Sequence, residues 1–225
     1  MEFEEVGAGY TFFCLGHPQG HPRQAGVGFA IRTSLIPRLE QRPQGLSPGL
    51  LTMKLKLKHE PSATLISAYA PTMTSDDATK EVFYTHLDTV LRSVPFEERI
   101  FLLGDFNARV GCDVSTWPKV LGSHSVGNEN SNGSLLLQIC SEHALAITNT
   151  YRYYQQANKY KATWQHLRSK HWHMLDYVIT RQCHQREVHT TRAMRGAGQW
   201  SDHRLVRSTG VLTTSSPSSC QKTTP

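Results

Sequence analysis

The chain has 225 residues, 38% of them hydrophobic and 19% charged, with a formal net charge of +6. That length suits one sizeable domain with its own core. No apolar run approaches the roughly 18 residues of a membrane helix, which excludes a sequence built around a membrane anchor.

The first residues, Met1-Glu2-Phe3-Glu4-Glu5, are acidic and short. They carry neither the basic and apolar regions of a signal peptide nor the Arg-rich pattern of a transit peptide. The expected compartment is therefore the nucleus or cytoplasm, without secretion. Val27 to Ile31 reads as a strand bounded by loops. Met53 to Lys58 alternates apolar and basic residues and reads as a half-exposed strand. Thr64 to Tyr69 is a second strand, stopped by Pro71, and the two are expected to pair antiparallel. From Lys80 to Val94 the apolar residues Val82, Phe83, Leu87, Val90, Leu91 and Val94 recur at helical spacing, behind capping candidates at Ser75-Asp76-Asp77.

Ile100 to Leu103 is a short apolar strand that runs into Gly104-Asp105-Phe106-Asn107. If strand geometry continues through the quartet, Asp105 and Asn107 point the same way. A carboxylate there can orient water or serve a metal, and a carboxamide can hold a phosphate oxygen. The plainer alternative is a turn or cap at the strand end. A second helix is expected over Ser134 to Ala144 and a short strand over Leu145 to Asn149. Tyr160 to Gln165 and Met174 to Thr180 read as strands around a loop at 166–173, and a last strand starts at Leu205. Residues 213–225, rich in Thr, Ser and Pro, read as a disordered tail after a domain spanning 1–212.

The charge is uneven. Residues 152–207 hold eleven Lys or Arg against three acids, a balance of +8, and six of the twelve histidines. A basic half is the footprint of a polyanionic partner, usually nucleic acid, or else a solvated basic surface. Five widely spaced cysteines without a C-x-x-C pair support neither a disulfide framework nor a cysteine zinc site. His166, His171 and His173 lack a fourth ligand at a characteristic zinc spacing, so a basic loop is the better reading.

Single motifs are weak, but their ordered set is specific: Tyr69-Ala70-Pro71, Gly104-Asp105-Phe106-Asn107, Thr163-Trp164, Leu175-Asp176-Tyr177 and Ser201-Asp202-His203. This set resembles the endonuclease/exonuclease/phosphatase superfamily, which includes DNase I, the apurinic/apyrimidinic endonucleases and the endonuclease domains of non-LTR retrotransposons. The resemblance spans most of residues 6–207. It implies an α/β fold, a four-layer α/β/β/α sandwich of the DNase I-like type with two packed mixed sheets.

The resemblance also implies roles. His203 matches the imidazole acting on the attacking water or the phosphate, with Asp176 as its carboxylate partner. Asp105 matches the group that aligns the water. Asn107 and Tyr69 match hydrogen-bond donors to phosphate oxygens, and Asp202 matches a ligand of Mg²⁺ or Mn²⁺. Arg109, Thr163, Arg168, Lys170 and His171 are candidates for contact with DNA. Trp164 reads as a packing residue. The superfamily opens with a strand bearing an Asn and another bearing a metal-binding Glu, whereas Met1 leads straight into what resembles the strand after that Glu. The expectation is an N-terminally incomplete domain that binds its metal weakly. Its function is then a divalent-metal-dependent DNA endonuclease, abasic-site directed and impaired. The alternatives are a catalytically inactive retrotransposon-derived domain that binds nucleic acid or a protein partner, and a phosphatase acting on small phosphate esters.

Overall fold

The computed structural model describes residues 6–7, 9–16, 26–58, 61–151, 160–196 and 201–210. The expected tail at 213–225 lies outside the described residues. The strands in chain order are β1 (Val6–Gly7), β2 (Tyr10–Gly16), β3 (Gly26–Arg32), β4 (Leu39–Ser47), β5 (Leu50–Leu55), β6 (Ala63–Tyr69), β7 (Arg99–Asp105), β8 (Leu145–Ile147), β9 (Trp164–Gln165), β10 (Trp172–His173), β11 (Asp176–Arg181), β12 (Val188–Met194) and β13 (Leu205–Gly210). Two α-helices intervene, α1 (Asp77–Ser93) and α2 (Ser131–Glu142).

Six strands form the central sheet in the order β4-β5-β6-β7-β11-β8. β6 and β7 run parallel and the other neighbours run antiparallel, so the sheet is mixed. The parallel pair requires a crossover, and α1 supplies it. α1 starts where the Asp76 carboxylate accepts the Thr79 N–H at 2.7 Å. It buries Phe83, Leu87, Val90 and Leu91. α2 starts on Asn130, whose side chain accepts the Gly133 N–H at 2.8 Å, and buries Leu136, Leu137, Ile139 and Cys140. These helix faces join Leu50, Ile66, Ala68, Ile100, Leu102, Tyr177 and Ile179 in the main core. Those strand residues alternate along their strands, so they share one face of the sheet.

The other face carries the second layer. Phe13 and Ile31 of the β2–β3 hairpin pack with Met53 of β5 and Leu65 of β6. The β12–β13 hairpin sits near β8 and β11, with the Thr191 hydroxyl 2.8 Å from that of Thr148. β1-β2-β3 and β12-β13 are separate sheets among the described residues, and β9-β10 forms a further two-stranded one. The α/β architecture and its mixed sheet agree with the sequence reading. β5 and β6 pair antiparallel as expected, from Leu50↔Ala68 to Leu55↔Ala63.

β4 was not foreseen. It is polar, contains Pro43, and its register against β5 shifts three times. An edge strand tolerates proline and bulges, and neither leaves a period-2 signature. Among the described residues Cys14, Cys112 and Cys140 are free thiols, and Cys183 is disulfide-bonded. Among the described residues no helix is long and apolar enough to cross a membrane.

Candidate active site

Tyr69, Asp105 and Asp176 are placed by register. β6 ends with Tyr69 opposite Asp105, and β11 begins with Asp176 opposite the same Asp105. Residues opposite one another on neighbouring strands share a face. The three therefore form one row across the end of the sheet, facing the second layer. Gly104 makes the row possible. Its φ is +153°, and a Cβ there would lie 1.8 Å from the Ala68 carbonyl oxygen. Only glycine permits that approach of β7 to β6 just before Asp105.

β7 stops at Asp105, so strand alternation does not carry on to Asn107. The Asn107 backbone is left-handed, with φ +48°. Its N–H donates to Asp105 Oδ1 at 2.8 Å, the local turn that Asp favours. Its side-chain Nδ2 donates to the Ala70 carbonyl at 2.9 Å. Asn132 ties the same region together, donating from Nδ2 to the carbonyls of Pro71 at 3.0 Å and Asn107 at 3.2 Å. The parallel orientation expected of Asp105 and Asn107 is thus replaced by a turn.

His203 reaches the row from the second layer. Its Nδ1 lies 3.1 Å from Asp176 Oδ2 and 3.3 Å from Oδ1. Its Nε2 lies 3.7 Å from Asp105 Oδ2. The imidazole therefore sits between two carboxylates. The hydrogen bond to Asp176 raises its pKa above the ordinary value; burial opposes this, and the charges of Asp176, Asp105 and Asp202 reinforce it. Asp105 is pushed up to about 6, chiefly by burial and then by the Asp176 charge, against the Asn107 hydrogen bond. One ligand atom from each of Asp105, Asp176 and His203 lies within 4.8 Å of the others. Two crowded carboxylates, one held up in pKa, form an oxygen-rich donor set whose repulsion a hard divalent cation would relieve. The donor set thus suits a hard divalent cation.

Asp202 is not one of those three groups. Its Oδ2 accepts the Trp164 indole N–H at 2.7 Å. It remains close enough for its charge to act on Asp105 and His203. Trp164 was read as packing, yet it is half-buried at the site, with its ring 6.3 Å from that of His203.

Thr163 does not meet solvent. It is fully buried, and its hydroxyl oxygen accepts the N–H groups of Leu175 at 3.0 Å and Asp176 at 3.1 Å. A buried hydroxyl bonded in this way cannot contact a phosphate backbone; it fixes the start of β11 and so Asp176. The expected DNA contact at Thr163 is corrected accordingly. Arg168, Lys170 and His171 are exposed on the turn between β9 and β10. That turn is closed by His166 N–H to the His171 carbonyl at 2.9 Å and Lys170 N–H to the His166 carbonyl at 2.9 Å. Arg109 is half-buried, and its charge helps lower the pKa of His173 after burial, so it lies on the β10 side of the site. Sequence reading missed Arg204, whose guanidinium stacks 3.3 Å over the half-open Trp172 ring. Its place directly after Ser-Asp-His was the available signal.

No known family's sequence profile matches the chain. It is similar to craniofacial development protein 2 of Bos taurus, 32% identical over 143 residues, which is 64% of this chain and 24% of that protein. The Tragulus javanicus protein of the same name is 30% identical over 155 residues, 68% of this chain and 26% of that one. The chain thus spans about a quarter of the length of these relatives. In structure it resembles the endonuclease domain of TRAS1, a telomere-specific non-LTR retrotransposon, with a TM-score of 0.65 at 15% identity over 93% of this chain and 83% of that one. The catalytic domain of Xenopus laevis APE2 superposes with a TM-score of 0.61 at 15% identity, covering 93% and 79%. A Neisseria 3′ phosphatase, NExo, bound to a product DNA hairpin, gives 0.58 at 15% identity, covering 89% and 79%. At these identities the likeness establishes the DNase I-like fold.

Proposed function

We propose that this DNase I-like domain hydrolyses phosphodiester bonds of DNA with the help of a divalent cation. The observation that carries the reading is His203 between Asp176 and Asp105, with Tyr69 in the same row. Asp176 fixes the imidazole through Nδ1 and favours its protonated form, leaving Nε2 directed toward Asp105. In that state Nε2–H donates a hydrogen bond to a phosphate oxygen as charge builds on it. Asp105, once ionised, accepts a proton from the attacking water and aligns it. The Tyr69 hydroxyl and the second N–H of the Asn107 amide supply further donors to phosphate oxygens.

Asp202, beside Asp105 and Asp176, would hold Mg²⁺ or Mn²⁺, which when bound would stabilise the leaving oxygen as a Lewis acid. Arg168, Lys170, His171 and Arg109 supply positive charge next to the site for the nucleic-acid backbone. The relatives named for nuclease and phosphatase activity support this substrate class. Abasic duplex DNA is the substrate to try first.

The position of Asp202 favours a second reading, a domain that binds nucleic acid without cutting it. Among the described residues two carboxylates stand in the cluster with His203, and one oxygen of the third, Asp202, is taken by an indole. One assay separates the readings. Purified protein is incubated with supercoiled plasmid and with an abasic-site duplex, in Mg²⁺ or EDTA. Mg²⁺-dependent nicking that vanishes in Asp105→Ala and His203→Ala is the expected result. Salt-sensitive DNA binding without nicking would establish the binder instead.

A further inference from the structure

We infer that Trp164 is a positioning residue, whose indole N–H holds the Asp202 carboxylate beside the Asp105–Asp176–His203 cluster as its third acidic group. The inference rests on the metal-dependent reading of that site. Three observations carry it. The indole Nε1 donates to Asp202 Oδ2 at 2.7 Å, the short length typical of a bond to a carboxylate. The backbone of 163–165 is zipped to that of 202–204: Gln165 N–H donates to the Asp202 carbonyl at 2.9 Å, Arg204 N–H to the Thr163 carbonyl at 2.6 Å, and Trp164 bridges His203. The indole ring is itself packed, between His166 with centroids at 5.6 Å and His173 at 5.8 Å.

A half-buried tryptophan can satisfy its N–H with any nearby acceptor or with water. Here the N–H is spent on the one acid that stands outside the cluster yet acts on it by charge. With Oδ2 held, Asp202 Oδ1 accepts only a long bond from the Ser201 hydroxyl at 3.4 Å and is offered to a cation from a fixed direction. Without the indole bond, the carboxylate swings on its own rotamers and the acidic set loses its order.

Phe keeps the ring and removes the N–H, so Trp164→Phe isolates the bond from the packing. The full chain is used, with Mn²⁺ alone as the probe. Trp164→Phe is expected to melt as the wild type does and to bind Mn²⁺ about 10-fold or more weakly, the usual cost of removing a partner that orients a metal ligand. Asp202→Asn is expected to weaken Mn²⁺ similarly, and the double variant no further than either single one. In ¹H–¹⁵N spectra the indole peak that disappears in Trp164→Phe is expected to move in Asp202→Asn. In plasmid nicking, Trp164→Phe is expected to raise the Mn²⁺ concentration for half-maximal rate and to approach the wild-type rate at saturation.

Wild-type Mn²⁺ affinity in Trp164→Phe, no effect of Asp202→Asn on that affinity, or no Mn²⁺ binding by the wild type would each overturn the inference. A wild type that binds Mn²⁺ with this pattern but never nicks DNA overturns the proposed activity and supports the positioning role.

Discussion

Asp105 and Asp176 stand directly opposite one another across the antiparallel β7–β11 pair, so two carboxylates share the end of the sheet. Burial and this neighbour push Asp105 up to about 6. The usual linkage for an aspartate is therefore reversed. The folded state keeps the Asp105 proton that the unfolded chain gives up near its ordinary value of 3.8. The Asp105 contribution to stability falls as pH rises from about 4 to about 6 and is level above that. Asp105→Asn cannot ionise and keeps an oxygen for the Asn107 N–H. It is expected to be more stable than the wild type at pH 7.5 by about 2–3 kcal/mol, with the gap closing below pH 4. Denaturant melts of both proteins across this range, without divalent cations, measure it. A gap that does not depend on pH would rule out the carboxylate pair as its cause.

His203 titrates in the opposite sense. Its raised pKa comes first from the Asp176 hydrogen bond, so protonated His203 favours the folded state. That contribution is complete below the ordinary value of 6.5 and is lost as pH rises through the higher folded value. Asp176→Asn removes both the charge and the strongest acceptor. The His203 resonances in ¹H–¹³C spectra should then titrate at a lower pH than in the wild type. An unchanged titration would mean that Asp176 does not govern the ring.

Thr163 was a candidate for DNA contact and proves to be an internal anchor. Thr163→Val is isosteric but leaves the N–H groups of Leu175 and Asp176 without their shared acceptor. The expected loss is about 1–3 kcal/mol, the cost of leaving buried donors unsatisfied, and Thr163→Ser should recover most of it. Thermal melts of the three proteins give the comparison. The salt dependence of DNA binding should be the same in all three folded proteins.

How far the sequence was legible follows from which residues act through local pattern. The apolar strands ahead of Asp105 and Tyr69 and the face of α1 announce themselves by period, because each buries its own stripe. The motif order named the cluster residues Asp105, Asp176 and His203. Their meeting depends on the Asp105↔Asp176 register and on His203 reaching in from the segment before β13, and pairing of distant segments has no local signature. Asn107 was misdirected because a strand was assumed to continue where a left-handed turn begins. Trp164 and Thr163 failed for a related reason: the partner of each lies 38 or about a dozen residues away, and residue type alone does not reveal it.

The turn between β9 and β10 carries Arg168 and Lys170, both exposed. If both cations meet backbone phosphates, each contributes about one unit to the slope of log affinity against log salt. Arg168→Ala and Lys170→Ala should each weaken DNA binding and lower that slope by about 0.9. Melting behaviour should not change, because neither side chain is buried. Fluorescence anisotropy of a labelled duplex at several salt concentrations reads both quantities. An unaltered slope in both variants would remove this turn from the DNA-binding surface.

At the opposite end of β7, Arg99 and Glu187 form a buried ion pair, with Nε and Nη2 at 2.8 and 2.9 Å from the two carboxylate oxygens. Arg99 is 2% and Glu187 8% exposed, and the pair ties the first residue of β7 to the turn before β12. It is an ionic tie between the central sheet and the second layer that carries β13, whose neighbouring residues 201–203 complete the site. Arg99→Met fills similar volume but strands the Glu187 charge. The expected cost is about 3–5 kcal/mol, as for breaking one side of a buried pair. The double change Arg99→Met with Glu187→Leu removes the stranded charge and should recover much of that loss. Urea melts of the wild type, both single variants and the double variant give the coupling directly. If Arg99→Met alone costs no more than an exposed substitution, the pair is not what holds the hairpin to the sheet, and the docking of β12–β13 rests on Val188, Ala193 and the Thr148–Thr191 contact instead.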